Sequence, residues 1–578
     1  MMFKKAATFI ICMSIGTLAT VAQETENQDL GTEVVNVVKP YSPTISDAFK
    51  VKETPSLNDS VTTQKKPVKY SIFSVPVAST FTPAKGTAAD VEKSKRLSLY
   101  DNYVTLGFGS YTTALAELYS NWQLSRTDNF GIFLRHNSAQ GDIDNVALPA
   151  DYLDTQLDMS YSSFQRDISY DFNLNASHEL INWYGLNPNE TFPQDVFDNI
   201  DSKQSYVSFK IGGGVALEDS YLKQARGTIR YTSDRFSSSE IHAKLMPQIV
   251  LPITEHEFLV DLDVDFLGGS FERSYLSTLT PINYSFFNLG LSPALVILND
   301  DLTLHLGAAF YFGQDLENSD SDFFIYPKVR ASYRLVDELL IAYGGLEGEL
   351  RQNSFYQIKE VNPFVSPTLA LAPTDQLYDG YVGLKGKLAG NIGYNIRGTY
   401  KQENNKPFFM QNPYKGASNG FEGYEFGNSF GLVYDDLSTL SAFGELKVNL
   451  NSNTAIGVNA TYNNYSTEVL PSAYNLPEFT AGATLDIGFT DKIFAGGSLF
   501  FVGERTDVLS DTFINTLPVE VTLDSYLDAN VYANYRINER VSVFVKGSNL
   551  LSDNYQKWLN TPVQGLQVLA GATYKFNW

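Results

Sequence analysis

Along most of the chain, apolar and polar side chains alternate with a period of two. From Leu302 to Phe312, one set of positions is Leu302, Leu304, Leu306, Ala308, Phe310 and Phe312. The positions between them are Thr303, His305, Gly307, Ala309 and Tyr311. From Ile392 to Lys401, Ile392, Tyr394, Ile396 and Tyr400 oppose Asn395, Arg397, Thr399 and Lys401. From Ser525 to Arg536, Leu527, Ala529, Val531, Ala533 and Tyr535 oppose Asp528, Asn530, Tyr532, Asn534 and Arg536. A period of two is that of a β-strand with one apolar and one polar face. Strands that are apolar on one side and polar on the other, repeated along a long chain, predict a transmembrane barrel with lipid outside and water inside.

Turn signals divide the pattern. Short Asn/Asp-rich turns fall near 127, 166, 219, 254, 300, 336, 390, 452, 491 and 538, as in Asn299-Asp300-Asp301 and Asn451-Ser452-Asn453. Such residues reverse a strand in few positions. These ten turns alternate with eleven other connections, the larger spanning about 181–202, 351–375 and 403–436. Together they join about 22 strands into an all-β, antiparallel barrel with both chain ends on the short-turn side. In outer-membrane barrels the short turns are periplasmic and the long loops extracellular.

The start of the chain explains how such a barrel reaches that membrane. Lys4 and Lys5 precede an apolar run from Ala6 to Leu18, and Thr20-Val21-Ala22 offers a cleavage site before Gln23. Residues 1–22 therefore read as a secretory signal peptide. No later stretch has 18 consecutive apolar residues, so no spanning helix is expected. A closed barrel can still be integral, because closure satisfies every backbone group in lipid.

Composition agrees. Aromatic residues make up 13%, with 35 Tyr and 39 Phe, which suits girdles at two membrane interfaces. The formal net charge is −23, which argues against a nucleic-acid partner. It reads either as solvated acidic loops or as an acidic, cation-preferring lumen. The one cysteine, Cys12, lies in the leader, so the mature protein has neither disulfide nor thiolate nucleophile.

The last strand, from about Val563 to Trp578, carries Leu566, Val568, Ala570, Ala572, Tyr574, Phe576 and Trp578 on one face. Gly571, Tyr574, Phe576 and Trp578 form a terminal aromatic pattern resembling the signal read by the barrel assembly machinery. From Phe443 onward the resemblance becomes more specific. Phe443-Gly444-Glu445-Leu446, Phe501-Val502-Gly503-Glu504-Arg505, Val545-Lys546-Gly547-Ser548-Asn549-Leu550-Leu551 and Tyr555-Gln556-Lys557-Trp558 resemble the barrel of TonB-dependent receptors in the form found in Bacteroidota. The resemblance implies a plugged outer-membrane transporter of this strand number.

It does not extend to the N-terminal part. Only about 75 residues separate Gln23 from the expected first strand near Leu99, with Pro40, Pro43, Pro55, Pro67, Pro76 and Pro83 among them. Residues 23–97 therefore read as a flexible periplasmic segment with no recognisable plug, and 98–578 as the barrel. Glu33-Val34-Val35-Asn36-Val37-Val38 resembles a TonB box, which pairs with TonB by strand addition. The alternatives are a plain β-prone patch and a strand docked inside the barrel. Ile72-Phe73-Ser74-Val75-Pro76-Val77 is a second β-prone patch suited to the lumen. Partial occlusion by this tail is expected, with the loops around 351–375 and 403–436 as the other source of a plug.

Catalytic and metal-binding patterns are not found in the sequence. His136, His178, His242, His256 and His305 have no ligand or triad spacing. Gly212-Gly213-Gly214 lacks the Lys of a phosphate loop, and Asp315 to Asp322 lacks the Gly and terminal Glu of a calcium loop. No enzyme activity and no cofactor are indicated. The reading is uptake of a nutrient or ion across the outer membrane of a Gram-negative bacterium. The alternative is a non-transporting subunit of an outer-membrane complex. Expected partners are outer-membrane lipid, the barrel assembly machinery, and TonB or another periplasmic or outer-membrane protein engaged through the tail.

Overall fold

A computed structural model describes residues 100–578, apart from 189, 254–255, 278, 417–419 and 510–518. The expected signal peptide and N-terminal segment, with the Glu33–Val38 motif and the Ile72–Val77 patch, lie outside the described residues.

A single sheet of 22 strands forms the fold, each strand antiparallel to its neighbours in the chain. The first strand, Asn102–Gly109, pairs with the last, Gln567–Phe576, in a register running from Asn102↔Phe576 to Gly109↔Leu569. That pairing closes the barrel and leaves no open edge, the condition for a sheet in lipid. Nine of the ten expected short turns lie wholly among the described residues, and Ile253 pairs with His256 on either side of the tenth. One joins Ile282–Leu298 to Leu302–Asp315 across Asn299-Asp300-Asp301, and another joins Phe430–Asn451 to Thr454–Thr467. Eleven connections on the opposite end complete the circuit. Among the described residues no helix is long and apolar enough to cross a membrane.

The faces follow the pattern read from sequence. Leu306, Ile396, Val531 and Tyr535 are exposed on the outer wall. Asn395, Asp528 and Asn530, at the alternate positions of the same strands, turn inward and meet lumen partners. Tyr343 donates to Asn395 Oδ1 at 2.6 Å, Tyr555 donates to Asp528 at 3.2 Å, and the Asn549 N–H donates to Asn530 Oδ1 at 3.2 Å. With an apolar outer wall and a polar inner one, the barrel is an integral outer-membrane protein.

Strand lengths differ from expectation where the wall rises above the membrane. A tilted strand needs about 9–11 residues to span a bilayer. Ile392–Gln411 has 20 and Phe430–Asn451 has 22. The loop expected at 403–436 is therefore only 412–429. A register shift between Glu403 and Lys406 interrupts the alternation there, yet pairing resumes from Lys406↔Asp435 to Gln411↔Phe430. Half of the acidic run at 315–322 likewise belongs to two strands, Leu302–Asp315 and Asp320–Val336, and the other half is the four-residue turn that joins them.

Candidate functional site

The long-loop end is covered by its own connections. The largest contribution comes from 352–373, which holds a helix, Phe355–Val361. Ser354 caps it: its hydroxyl accepts from the Gln357 N–H at 3.2 Å while the Gln357 side chain accepts from the Ser354 N–H at 3.5 Å. This is a reciprocal capping box. The next two free N–H groups point across to Glu240 on the strand Ser239–Ile253. Phe355 donates at 2.5 Å and Tyr356 at 3.1 Å, and the Tyr284 hydroxyl adds a third bond at 2.9 Å. A carboxylate at a helix N-terminus satisfies orphan donors and opposes the positive end of the dipole.

The same helix carries Lys359, 1% exposed. Its ammonium lies 2.6 Å from both Glu179 and Glu360, and over the rings of Tyr206 and Tyr356 at 5.2 and 4.7 Å. Arg230 also stacks on Tyr356, 3.6 Å from its ring centroid. A buried ammonium is stable only when paired in this way. The helix is thus pinned to the wall at its start by Glu240 and in its middle by Glu179.

Apolar packing completes the cap. Phe355, Ile358, Val365, Leu369 and Leu371 join the wall residues Tyr206, Leu267, Phe271, Tyr284 and Phe286 in one buried cluster. Leu523 and Leu559, from two other loops, belong to it as well. The connection 412–429 reaches across in the same manner. Tyr424 packs on Trp183 at 5.3 Å, Phe236 at 5.2 Å and Tyr275 at 6.4 Å, three rings from three further loops. Burial pushes the Tyr424 phenol up to about 12, partly offset by Arg273, whose Nε–H donates to its oxygen at 2.9 Å.

A two-stranded ribbon, Arg505–Leu509 with Val519–Leu523, locks onto the last loop. Arg505 donates to the Lys557 and Gln556 carbonyls at 2.7 and 2.6 Å. Asp507 is fully buried beside it and accepts from the Val508 N–H at 2.7 Å and the Leu559 N–H at 3.4 Å. Burial pushes its carboxyl up to about 6.

Two cavities lie within this assembly. An inner chamber of about 630 Å³ sits between the helix and the wall, lined by Asp151, Asp154, Glu179, Glu360, Arg135, Gln156, Asn175, Gln564 and Gln567, with Tyr184, Tyr356 and Phe364 as aromatic faces. An outer vestibule of about 610 Å³ opens among the loops, lined by Asp144, Glu190, Gln194, Asn554, Gln556 and the rings of Phe192, Phe197 and Tyr184. Tyr184 is common to both. Its hydroxyl donates to the Pro562 carbonyl at 3.0 Å and its ring meets Phe364 edge-on at 5.3 Å. Loss of water around the phenol raises its pKa. Next to it, Gly185 allows the loop to press against the last one, because a Cβ there would meet Thr561 Cγ2 at 2.6 Å.

Below the cap the inner wall carries both signs of charge. Asp265 holds His242 and Lys244 at 2.7 and 2.9 Å, Asp171 holds Arg226 at 3.3 Å, and Glu347 holds Arg330 at 2.7 Å. Arg397 lies between the rings of Tyr381 and Phe443, 5.9 and 5.8 Å away. Of the residues expected to form the assembly signal, Tyr574 and Phe576 stack at 5.8 Å on the outer wall. Trp578 meets Phe576 edge-on at 5.2 Å, and its indole N–H donates to Ser120 at 3.1 Å. Gly571 faces the lumen opposite Gly107. Among the described residues no group of His, Cys, Asp and Glu is arranged to hold a metal. The cap was not foreseen beyond the position of its loops. The one local signal for its helix is the Ser354-x-x-Gln357 spacing.

No family profile and no curated protein sequence matches the chain. Solved structures do. The FrpB iron transporter from Neisseria meningitidis aligns with a TM-score of 0.63 at 10% identity, over 83% of this chain and 82% of that one. The ferripyoverdine receptor of the Pseudomonas aeruginosa outer membrane aligns at 0.60 and 14%, over 84% and 73%. The siderophore receptor PirA from Acinetobacter baumannii aligns at 0.60 and 12%, over 84% and 81%. At these identities the likeness is one of fold.

Proposed function

We propose that this chain, which has the barrel fold of TonB-dependent receptors, takes up a nutrient across the outer membrane through a mouth gated by its own loops. The observation that carries the reading is the cap: a helix, a ribbon and several loops meet in one packed layer over a barrel too wide for wall side chains to fill. Two cavities of ligand size lie within and beneath that layer. A merely structural barrel needs no such chambers. The structures it resembles are named as transporters and receptors.

In this reading a solute enters the vestibule, passes to the chamber, and is released to the polar lumen when the helix leaves Glu240 and Glu179. Opening costs the packing of Phe355 and Ile358, so it requires either ligand binding or work from the periplasmic side. Val34–Val38 in the tail is suited to receive that work by strand pairing with TonB. The test is flux of small solutes into liposomes bearing the purified protein, with and without the helix-bearing loop. Flux that rises when the loop is shortened supports the gate. No flux through either form contradicts uptake.

A further inference from the structure

We infer that the outer wall holds a phospholipid acyl chain of the periplasmic leaflet in a notch on the strands Lys203–Leu217, Leu222–Asp234 and Ser239–Ile253. The inference is independent of the uptake reading. The sequence marks the place with Gly212-Gly213-Gly214, a run that the wall divides between its two faces. Gly212 and Gly214 face the lumen, and neighbouring side chains account for them. A Cβ at Gly212 would meet Asn173 Oδ1 at 2.5 Å, and one at Gly214 would meet Asp171 Oδ1 at 2.8 Å. Gly213 faces lipid and stands opposite Gly227 in the register of the next strand. Two glycines side by side leave a patch of bare backbone on the wall.

Around that floor stand Phe172, Ile211, Ile229 and Leu245, all exposed. They border a cavity of about 500 Å³. Thr228 and Lys244 border it too, but their side chains turn to the lumen, where Lys244 meets Asp265 at 2.9 Å. The side chains that face outward are therefore apolar. The chain itself does not require Gly227. Its φ lies outside the left-handed region, and a Cβ there would meet nothing nearer than Leu245 Cδ1 at 3.7 Å, an ordinary contact. Glycine inside a strand weakens it and often marks a place where a ligand comes close.

Depth names the occupant. Gly213 lies four residues from the short-turn end of its strand at Leu217, and Gly227 five from Leu222. A strand rises about 3.3 Å per residue and is tilted by about 45°, so the notch sits roughly 10 Å above the periplasmic end. Tyr170, two positions below Phe172 on the same strand, is exposed at the level that interfacial tyrosines mark. The notch is thus at acyl-chain depth in the periplasmic leaflet, continuous with the lipid-facing wall. A chain gains no hydrophobic free energy by entering it, because lipid is already apolar. It gains van der Waals contact with the four flanking side chains.

The test places the full-length protein in nanodiscs of phosphatidylethanolamine carrying a photoactivatable diazirine on one acyl chain, with mass spectrometry of the labelled peptides. Peptides from 205–216 and 222–245 should be labelled about fivefold more than those from the lipid-facing strand at 526–536, the scale that a few extra contacts set. Gly227→Leu fills the notch and should bring the labelling down to the level of 526–536, with the barrel at least as stable as before. Gly444→Leu, at another outward glycine with open space around it, should leave the excess unchanged. Uniform labelling around the wall, or an excess that survives Gly227→Leu, overturns the inference. A destabilised Gly227→Leu barrel makes the glycine structural and overturns it as well. A photoreactive phenylalanine at Ile229 in cells separates lipid from protein: a phospholipid adduct is expected, and capture of another membrane protein in its place contradicts the assignment.

Discussion

Phe355→Ala is the sharpest perturbation of the cap. The side chain is 1% exposed and meets Phe271 edge-on at 5.0 Å and Tyr206 at 5.9 Å. Truncating a buried Phe costs about 3–5 kcal/mol, including the cavity left behind. Alanine's better helix propensity returns a few tenths of a kcal/mol. The substitution leaves the Glu240 contact intact, because that uses the backbone N–H. The barrel ladder is untouched, so the loss of about 3 kcal/mol falls on the cap alone. That corresponds to about a hundredfold rise in the opening equilibrium. Hydrogen exchange of residues 353–371, followed by mass spectrometry on folded barrels, reads this directly. Exchange there should accelerate by about that factor while the wall strands keep their protection. Acceleration below about threefold, with the barrel intact, would refute the view that this cluster holds the cap shut.

Three further outcomes are expected. The Asp507 carboxyl has a folded pKa of about 6, above its ordinary value, so the folded state holds the proton longer. Its stabilising effect is present in acid and is lost as pH rises through about 6, a change of roughly 2–3 kcal/mol. With the base-catalysed intrinsic rate divided out, the cap should therefore be better protected at pH 5 than at pH 7.5, and Asp507→Asn should flatten that difference; an equal slope in the variant would rule the assignment out. Phe576→Asp with Trp578→Asp places two charges at the edge of the outer wall, costing up to about 1 kcal/mol each, too little to unfold so large a barrel. Loss of the double variant from the outer membrane would thus report on recognition by the assembly machinery, and normal surface levels would exclude that role. Photo-crosslinking from Val35 in cells should capture a periplasmic or inner-membrane-anchored protein, whereas capture of barrel residues alone would make the tail a lumen filler.

The wall was legible because its physics is local. Period-two alternation assigns each face, and Asn/Asp turns mark each reversal, so Leu302–Asp315 and its neighbours could be placed without any contact being known. The cap was not, because its contacts join distant parts of the chain. Glu240 meets Phe355 across 115 positions, and Tyr184 meets Pro562 across 378. In a loop without periodicity, Lys359 reads as solvated, and only the arrival of Glu179 makes its burial tolerable. The lumen's charge was equally hidden. A net charge of −23 leaves open where the acids lie. The wall carries paired residues such as Arg330–Glu347 and Lys244–Asp265, whose partners only the register of neighbouring strands brings together.

The most direct test of the central claim is the conductance of the barrel in a planar bilayer with the tail removed, so that only the loops can close it. A chain lacking residues 23–95 should conduct little while the cap is intact. The same chain with 353–372 replaced by a short turn should conduct strongly. If the tail-less chain with its cap intact already conducts as strongly as the loop-replaced form, the loops do not gate the mouth, and the account fails.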